Sequence, residues 1–183
     1  HERTLPIGPM PGVIMGPMNT NERELLWLRR VREVSQLLTQ KTPLETLLPR
    51  ILEAAVEITG AERGFMVRVL PGKAEAKPRI SIEAARGFNR TQLKGSAAQV
   101  SRTVIERVLE TQTGLVTTRD ADADLLAVSS IQNRRVLCII CVPMRLRDSI
   151  WGVLYLDHRF DQQAFVETDV ASLVTFADQA ALA

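Results

Sequence analysis

The sequence predicts an α+β sandwich around a central antiparallel sheet. Three observations lead to this fold class: amphipathic helical segments at both ends of the chain, five stretches with strand periodicity between them, and a tight polar turn joining the last two stretches. The 183 residues are 45% hydrophobic and 24% charged, which is typical of one globular domain. Because the net charge is +2 and no basic stripe is interleaved with aromatic residues, we expect no nucleic-acid binding.

The first twenty residues differ in composition from the rest of the chain. Segment 1–20 is rich in proline, glycine and methionine and lacks periodicity, so we predict a linker there and one domain over 21–183. Because the last predicted helix reaches Ala183, we expect an output domain beyond it. We find neither a signal peptide nor an apolar run near twenty residues, and we therefore expect no membrane segment and a cytoplasmic location.

The N-terminal half contains two predicted helices. Asn21, with Glu24 three residues further on, is the expected start of the first helix. The second opens at Thr42-Pro43-Leu44-Glu45, where a capping box coincides with proline at the first helical position. Pro49 is expected to kink this helix or delay its regular part, and Gly60 is expected to end it.

Five strands and two further helices complete the predicted sandwich. The strands are expected over residues 65–70, 79–86, 115–118, 136–145 and 150–157. The last two strands should form an antiparallel hairpin, because only a short polar connection separates them. Ser101 is the expected cap of the third helix, and the fourth helix begins near Glu167.

Cys138 and Cys141 have the C-x-x-C spacing that is found in redox and zinc sites. They lie, however, in an apolar run that reads as a buried strand, where positions i and i+3 point to opposite faces. Neither a disulfide nor a metal site closes from opposite faces, and the sequence has no second Cys/His pair to complete four ligands. We therefore predict two reduced, buried thiols.

Other candidate catalytic or metal-binding side chains are sparse. His158 follows a predicted strand beside Asp157, but no serine or cysteine partner is evident, so we interpret it as a surface imidazole rather than a base or an iron ligand. Asp120, Asp122 and Asp124 offer oxygen ligands but lack the glycine and the distant glutamate of a calcium loop. We predict no catalytic residue, no metal site and no resident cofactor.

Several short segments follow the order found in the GAF domain family. They are Thr59–Phe65, Ile105–Thr111, Cys141–Met144, Gly152–Asp157 and Ala177–Ala181. On these segments the chain resembles GAF domains from about Glu22 onward. It is most similar to those of bacterial sigma-N-dependent, enhancer-binding transcriptional activators, and those of sensor histidine kinases and cyclases look nearly as similar. The resemblance implies a PAS-related sandwich, with the terminal helices on one face and a ligand pocket under the third helix on the other.

The resemblance also implies which residues contact a ligand. Two lie on the first strand, two on the last strand, one near the pocket entrance and two in the polar loop: Phe65, Val67, Val153, Tyr155, Phe88, Asp124 and Ser129. This assignment places the charged Arg68 on the side of the sheet that the helices cover, which is unfavourable. The opposite assignment of the two strand faces therefore stays open. Apolar walls with few polar groups suit a small, partly aromatic ligand, although the same side chains would also fill a closed core.

Departures from the family pattern narrow the possible ligands. The cyclic-nucleotide subclass carries Asn-Lys, Phe and Asp-Glu where this chain has His158-Arg159, Phe165 and Asp169-Val170. The bilin-binding subclass needs a cysteine beside the pocket helix or loop, and this sequence has none there. We therefore expect neither tight cyclic GMP or AMP binding nor a covalent tetrapyrrole. At Val166 the family usually has Ser or Thr as a helix cap, so the last helix should start later or rely on the residues that follow.

Three function hypotheses are compatible with the resemblance. The first is a regulatory sensor that binds an unknown small molecule and controls an output domain through its terminal helices. The second is a dimerisation scaffold with a filled pocket. The third is an enzyme similar to the free-methionine-sulfoxide-reductase relatives of this fold, which need reactive pocket cysteines. We favour the first, in a bacterial signalling protein and most simply a transcriptional regulator, and predict that the chain is not an enzyme.

We also predict a homodimer joined by the first and last helices. A heptad-like seam on the first helix comprises Trp27, Val31, Val34 and Leu38. The last helix offers small residues that allow a close approach, namely Ala177, Ala180 and Ala181. The remaining apolar positions of the first helix, Leu25, Leu28 and Leu37, should then cover the domain's own core. The alternative is that this apolar surface packs against flanking domains.

Overall fold

The structure is a computed structural model that describes residues 19–40, 42–71, 78–88, 96–118 and 136–181. Within these ranges the elements are α1 (Thr20–Thr39), α2 (Leu44–Thr59), β1 (Arg63–Leu70), β2 (Arg79–Arg86), α3 (Ser96–Thr111), β3 (Leu115–Thr118), β4 (Cys138–Leu146), β5 (Ser149–His158) and α4 (Glu167–Ala181). The strands pair antiparallel in the order β2-β1-β5-β4-β3. The predicted α+β sandwich with an antiparallel sheet is confirmed.

A reciprocal capping box sets the start of α1. The Asn19 side chain accepts a hydrogen bond from the Glu22 backbone N–H at 2.9 Å, and the Glu22 carboxylate accepts one from the Asn19 N–H at 3.0 Å. The predicted start at Asn21 is therefore wrong. Both asparagines precede a glutamate by three residues, and the earlier pair caps the helix because it adds further backbone hydrogen bonds to α1.

The connection between α1 and α2 also differs from the prediction. The Thr42 hydroxyl donates to the Leu37 carbonyl at 3.1 Å, and Pro43 stands at the N-cap of α2 without a side-chain hydrogen bond. The hydroxyl expected to cap α2 thus satisfies a carbonyl at the end of α1 instead. α2 continues through Pro49 as one helix and ends, as predicted, at Gly60, whose φ of +70° is left-handed.

The predicted strand bounds agree with the structure to within two residues. β2 and β3 are as predicted, β1 begins earlier at Arg63, and β4 and β5 form the expected hairpin with Arg147 at φ +56° in its turn. α3 begins at Ser96 instead of Ser101. The alanines and glutamine between these two serines are favourable in a helix, so the helix extends past the predicted cap.

Alternation along the central strands divides the core into two layers. On the side that we call the α2 face, Met66, Leu154 and Leu156 pack with side chains of α1, α2 and α4. On the opposite side, the α3 face, alternate residues of the same strands pack beneath α3. Because of Arg68, the sequence leaves open which face of the strands is covered by the helices. In the structure the Arg68 side chain reaches solvent and pairs with Glu83 at 3.0 Å, so its charge is not buried against the helices.

An acidic side chain caps α4 where the family usually has a hydroxyl. The Asp169 carboxylate accepts a hydrogen bond from the Val166 backbone N–H at 2.9 Å, and the helix begins at Glu167 as predicted. Its fully buried side chains are Leu173, Phe176, Ala177 and Ala180.

Burial within the single chain corrects the predicted dimer seam. Three of the residues predicted for the dimer contact, one on α1 and two on α4, are at most 2% exposed: Val34, Ala177 and Ala180. Trp27, Val31 and Ala181 are half-buried and pack against the same core, and the Leu38 side chain lies outside the described residues. Because α2 and α4 cover this side of α1, Val34 and the two alanines are already packed within the chain's own core.

The exposure of the apolar residues on the outer side of α1 also differs from the prediction. Leu25 and Leu28, expected to cover the domain's own core, are 64% and 52% exposed. Leu37 does pack against the core, as expected. Apolar residues lie around most of the circumference of α1, so the stripe alone did not show which side faces inward.

An ion pair between Glu62 and Arg159 lies where β1 begins and β5 ends. The Glu62 carboxylate accepts hydrogen bonds from Arg159 Nε at 2.9 and 3.1 Å and from the Arg159 backbone N–H at 3.1 Å. Partial burial raises the pKa of Glu62, but hydrogen bonds and charge from Arg159 outweigh it and hold this pKa below its usual range. The resulting stability is present above the unfolded-state pKa of about 4.3 and is lost as the pH falls through the lower folded-state value.

We predict that Glu62→Gln lowers the free energy of unfolding by about 1 kcal/mol at neutral pH and by less at an acidic pH, because the difference shrinks as the pH falls through the lowered pKa of the native carboxylate. Urea unfolding at both pH values measures this difference. Glu53→Gln is the matched control, because Glu53 pairs with Arg86 at 3.6 Å on the exposed surface and should contribute little at either pH. An equal loss at both pH values for Glu62→Gln would contradict the assigned pKa shift.

Candidate functional site

The α3 face of the central strands carries aromatic and apolar side chains in adjacent rows. Phe65 on β1 lies opposite Tyr155 on β5, and Val67 lies opposite Val153. The rings of Phe65 and Tyr155 stack with centroids 4.7 Å apart and an interplanar angle of 18°. Phe88 meets Phe65 edge-on at 5.3 Å. The structure therefore brings together these five of the residues implied for the ligand site.

α3 covers these rows with a compact apolar surface. Val104, Ile105 and Val108 are fully buried against Phe65, Val67, Val153 and Tyr155 in one cluster. Phe88 is half-buried at the margin of this cluster. The two loop residues implied for the site, Asp124 and Ser129, lie outside the described residues, as do Asp120 and Asp122.

A buried ion pair lies one row beyond the stacked rings. Arg63 Nε and Nη2 donate to the two carboxylate oxygens of Asp157, each at 2.7 Å, and the side chains are only 6% and 1% exposed. The Tyr155 hydroxyl donates to Asp157 Oδ2 at 3.3 Å. The same row continues through Ile139 on β4 to the buried Thr117 on β3. The α3 face thus has an apolar part and, beside it, a row in which Arg63, Asp157 and Thr117 are polar and Ile139 is apolar.

The electrostatics of this pair follow from its burial. Removal from water raises the pKa of Asp157, while the hydrogen bonds and charge of Arg63 act in the opposite direction. A paired and hydrogen-bonded charge is tolerated at this depth, whereas loss of one partner leaves an uncompensated charge at a cost of about 3–5 kcal/mol. Arg63 and Asp157 therefore form one neutral unit with a fixed geometry.

The chain after β2 encloses the guanidinium from a second side. Phe88 lies with its ring centroid 4.3 Å from Arg63 Cζ, a cation–π contact. The preceding Gly87 has φ +75°, and an added Cβ there would lie 2.8 Å from Arg63 Cγ. A glycine is therefore needed for the backbone to rest on Arg63. Through Phe88, the ion pair and the stacked aromatic rings form one contiguous group.

Sequence reasoning did not identify Arg63 and Asp157 as site residues. The predicted first strand begins only at Phe65, after Arg63, and the sequence pattern shows Asp157 only as the neighbour of His158. The strand alternation contained the missing signal, because Arg63 is two residues before Phe65 and Asp157 is two residues after Tyr155. Residues two positions apart on a strand share a face, so both charges had to lie on the same face as the implied site.

His158 has a structural contact at the end of β5. Its Nδ1 atom accepts hydrogen bonds from the backbone N–H groups of Phe160 at 3.2 Å and Asp161 at 3.0 Å. The imidazole thereby orders the turn that follows the strand. Within the described residues, no group of three or more His, Cys, Asp or Glu side chains is arranged to hold a metal ion.

The two cysteines occupy opposite faces of β4, as predicted. Cys138 packs on the α2 face and Cys141 on the α3 face, and both are fully buried. The Cys138 thiol lies 3.9 Å from the Phe165 carbonyl oxygen. Burial raises the pKa of both thiols, so neither is readily converted to the nucleophilic thiolate.

Comparisons with known proteins identify the family. The family model described as the GAF domain matches residues 43–183. The chain belongs to the GAF domain family. GAF domains are signalling and sensing domains found in kinases and other sensors. No curated protein matches the chain significantly.

Solved structures share this fold at low sequence identity. The GAF domain of a putative sensor histidine kinase from Pseudomonas syringae pv. tomato is 18% identical, with a TM-score of 0.58 over 88% of this chain and 86% of the other. The free methionine-R-sulfoxide reductase from Neisseria meningitidis is 17% identical, with a TM-score of 0.64 over 90% of each chain. The phycoerythrobilin-bound GAF domain of a cyanobacterial phytochrome is 14% identical, with a TM-score of 0.64 over 85% of this chain and 92% of the other.

The fold is thus shared by proteins with different activities, and the function of this GAF domain has to be argued from its own residues. In the parts of the chain that the structure describes, no helix is long and apolar enough to cross a membrane.

We predict that both native thiols react with Ellman's reagent at least about 100-fold more slowly than in urea, because reaction requires opening of the core. Absorbance of the released thionitrobenzoate measures the rate. Ser149→Cys, at an exposed position, is the control and should add one rapidly reacting thiol. A native thiol that reacts as fast as this added cysteine would revive the hypothesis of cysteine-dependent enzymatic activity.

Proposed function

We propose that this GAF domain binds a small molecule on the α3 face and controls an output domain through its terminal helices. The observation that supports the proposal is the convergence of three aromatic side chains, Phe65, Phe88 and Tyr155, on one buried ion pair. A few oriented polar groups beside an apolar layer are typical of small-molecule sites.

The charges of the described site favour an uncharged, planar ligand. Arg63 and Asp157 neutralise each other through two hydrogen bonds of 2.7 Å, so the described side chains offer no spare counter-charge to an ionic ligand. The buried rings of Phe65 and Tyr155 stack on each other, so the apolar layer beneath α3 already accommodates parallel aromatic groups. A small aromatic molecule with hydrogen-bonding substituents matches both features.

We propose a regulatory rather than an enzymatic role, in a bacterial signalling protein and most simply in a transcriptional regulator. The burial and raised pKa of both cysteines support this choice, because cysteine chemistry needs an accessible thiolate. The segments resembling sigma-N-dependent activators support the assignment to transcription. A sensor kinase or cyclase is the alternative context.

We predict that Phe65→Trp abolishes retention of a co-purified small molecule while costing about 1–3 kcal/mol of stability through overpacking. Native mass spectrometry of the purified chain measures retention, and thermal unfolding measures stability. Met144→Phe is the matched control, because it overpacks the α2 face of the same sheet and should leave retention unchanged.

Two outcomes would contradict the proposed ligand site. Retention that falls equally in Phe65→Trp and Met144→Phe would place the ligand elsewhere or report general destabilisation. A wild-type chain that retains nothing, together with a Phe65→Trp variant that does not fold, would favour the dimerisation scaffold with a filled α3 face.

We further propose that the domain is a homodimer joined through the exposed side of α1. Leu25 and Leu28 are one turn apart there, and their exposure leaves an apolar strip that a second copy of α1 would cover. A two-fold contact along α1 would bring the two copies of α4 and their output domains into one assembly. This surface replaces the seam at Val34 predicted from the sequence.

We predict that Leu25→Glu combined with Leu28→Glu converts the dimer into a folded monomer, because both side chains already face solvent within one chain. Light scattering coupled to size exclusion measures the mass. Leu44→Glu, at the start of α2 and 42% exposed, is the control and should leave the dimer intact. A wild-type monomer at high concentration, or a variant that remains dimeric, would place the contact elsewhere.

A further inference from the structure

One residue of β4 contacts both the end of α3 and the last turn of α4. The backbone N–H of Arg145 donates to Asp178 Oδ1 on α4 at 2.8 Å. The Arg145 guanidinium donates to the carbonyl oxygen of Gln112, just after α3. Because α3 and α4 pack on opposite faces of the sheet, Arg145 connects the two faces.

Arg145 lies beside a register shift in the pairing of β4 with β5, where Trp151 is the extra residue on β5. The shift lies between Met144 and Arg145, where the pairing with β5 becomes irregular. Met144 still packs on the α2 face, so alternation directs the Arg145 side chain to the α3 face. β3 pairs with β4 only as far as Cys141, and beyond it the Arg145 N–H is bonded by the Asp178 side chain on α4.

The segment that follows α3 also rests directly on α4. Gln112 has φ +55°, and the chain then turns through Gly114 into β3. A Cβ added to Gly114 would lie 2.7 Å from Val170 Cγ1 and 3.4 Å from Val174 Cγ2, both on α4. The backbone at Gly114 has no room for a side chain. A displacement of the end of α3 would therefore press this backbone against Val170 and Val174 on α4.

We propose that Arg145 is the coupling residue between the α3 face and the last turn of α4. Displacement of α3 changes its hydrogen bond to the Gln112 carbonyl, and the bond from the Arg145 N–H to Asp178 carries the change to the helix that leads towards Ala183. This inference rests on the proposed function for its biological use. The mechanical link itself is a property of the chain without a ligand.

The two hydrogen bonds are suited to this role by their location. Arg145 and Asp178 are half-buried, so water competes only partly for the bond between them, whereas the bond to Gln112 lies at the exposed end of the Arg145 side chain. Both bonds include a charged group, which makes them stronger than bonds between neutral groups. Loss of the bond to Asp178 leaves the partly buried Arg145 N–H without this acceptor, and loss of the bond to Gln112 frees the segment that follows α3 from β4.

Hydrogen exchange with mass spectrometry on the whole chain tests the link. Asp178→Ala removes the acceptor on α4, and alanine favours the helix, so α4 itself should not open. Exchange of amides 107–113, at the end of α3, should become at least about fivefold faster. Two controls should leave that segment unchanged: Asp178→Asn, which retains an acceptor oxygen, and Ser172→Ala, which changes an exposed hydroxyl on α4.

A second variant tests the same route from the other end. Arg145→Met keeps the backbone bond to Asp178 but removes the donor to the Gln112 carbonyl, so the end of α3 should again exchange faster. In this background, Asp178→Ala should add nothing further at residues 107–113, because one link is already broken. If Asp178→Ala does not fold, Arg145→Met alone tests the link. The expected result is then faster amide exchange in the last turn of α4.

The proposal is overturned if folded Asp178→Ala leaves residues 107–113 unchanged, or if the two substitutions have additive effects there. It is also overturned if Arg145→Met, judged alone, leaves the last turn of α4 unchanged. These results are distinct from failure of the proposed function, because exchange is measured without a ligand. If the ligand-retention experiment fails but hydrogen exchange responds as expected, the link between α3 and α4 stands. Only ligand binding on the α3 face, its proposed input, is then removed.

Discussion

The antiparallel pairing of β1 with β5 is the constraint on which both faces of the sheet depend. Its register places Arg63 opposite Asp157 and Phe65 opposite Tyr155 on one face. A slip by one residue would move every side chain of a strand to the other face, exposing apolar groups and burying charges. Gly152 helps to fix the contact, because an added Cβ would lie 2.2 Å from the carbonyl oxygen of Val67 on β1.

Strand alternation made most of the sheet predictable, whereas helix ends and helix faces were less certain. A strand has only two faces, so Phe65 and Tyr155 indicated the arrangement of their neighbours. Local capping signals are less specific, since Asn19 and Asn21 carry the same spacing to a glutamate and only the complete helix decides between them.

The inward side of α1 depends on contacts that the sequence pattern does not contain. Its leucines and valines surround most of the helix, and the packing of α2 and α4 selects the side that includes Val34. The buried ion pair was missed for a related reason. Charged residues near strand ends are usually solvated, and only the combined register of β1 and β5 encloses Arg63 with Asp157.

The two core layers differ in what they contribute. The α2 face is an apolar core, and its packing accounts for attachment of three helices to the sheet. The α3 face includes a buried ion pair, although apolar side chains of similar volume are often as stabilising in such positions. Departures of this kind from the most stable arrangement are expected at functional sites. The two faces of the sheet therefore differ in composition, an apolar core on one side and a core with a buried ion pair on the other, while both depend on the same strands.

The distance along the chain between Arg63 and Asp157 has a consequence for biosynthesis. The two residues are 94 positions apart, so the arginine leaves the ribosome well before its partner is made. Until β5 emerges, β1 lacks one neighbouring strand and its guanidinium remains hydrated. Closing so long a segment is entropically costly, and contacts of high sequence separation slow folding. The α3 face therefore acquires its final form late in synthesis, when nearly the whole domain is available.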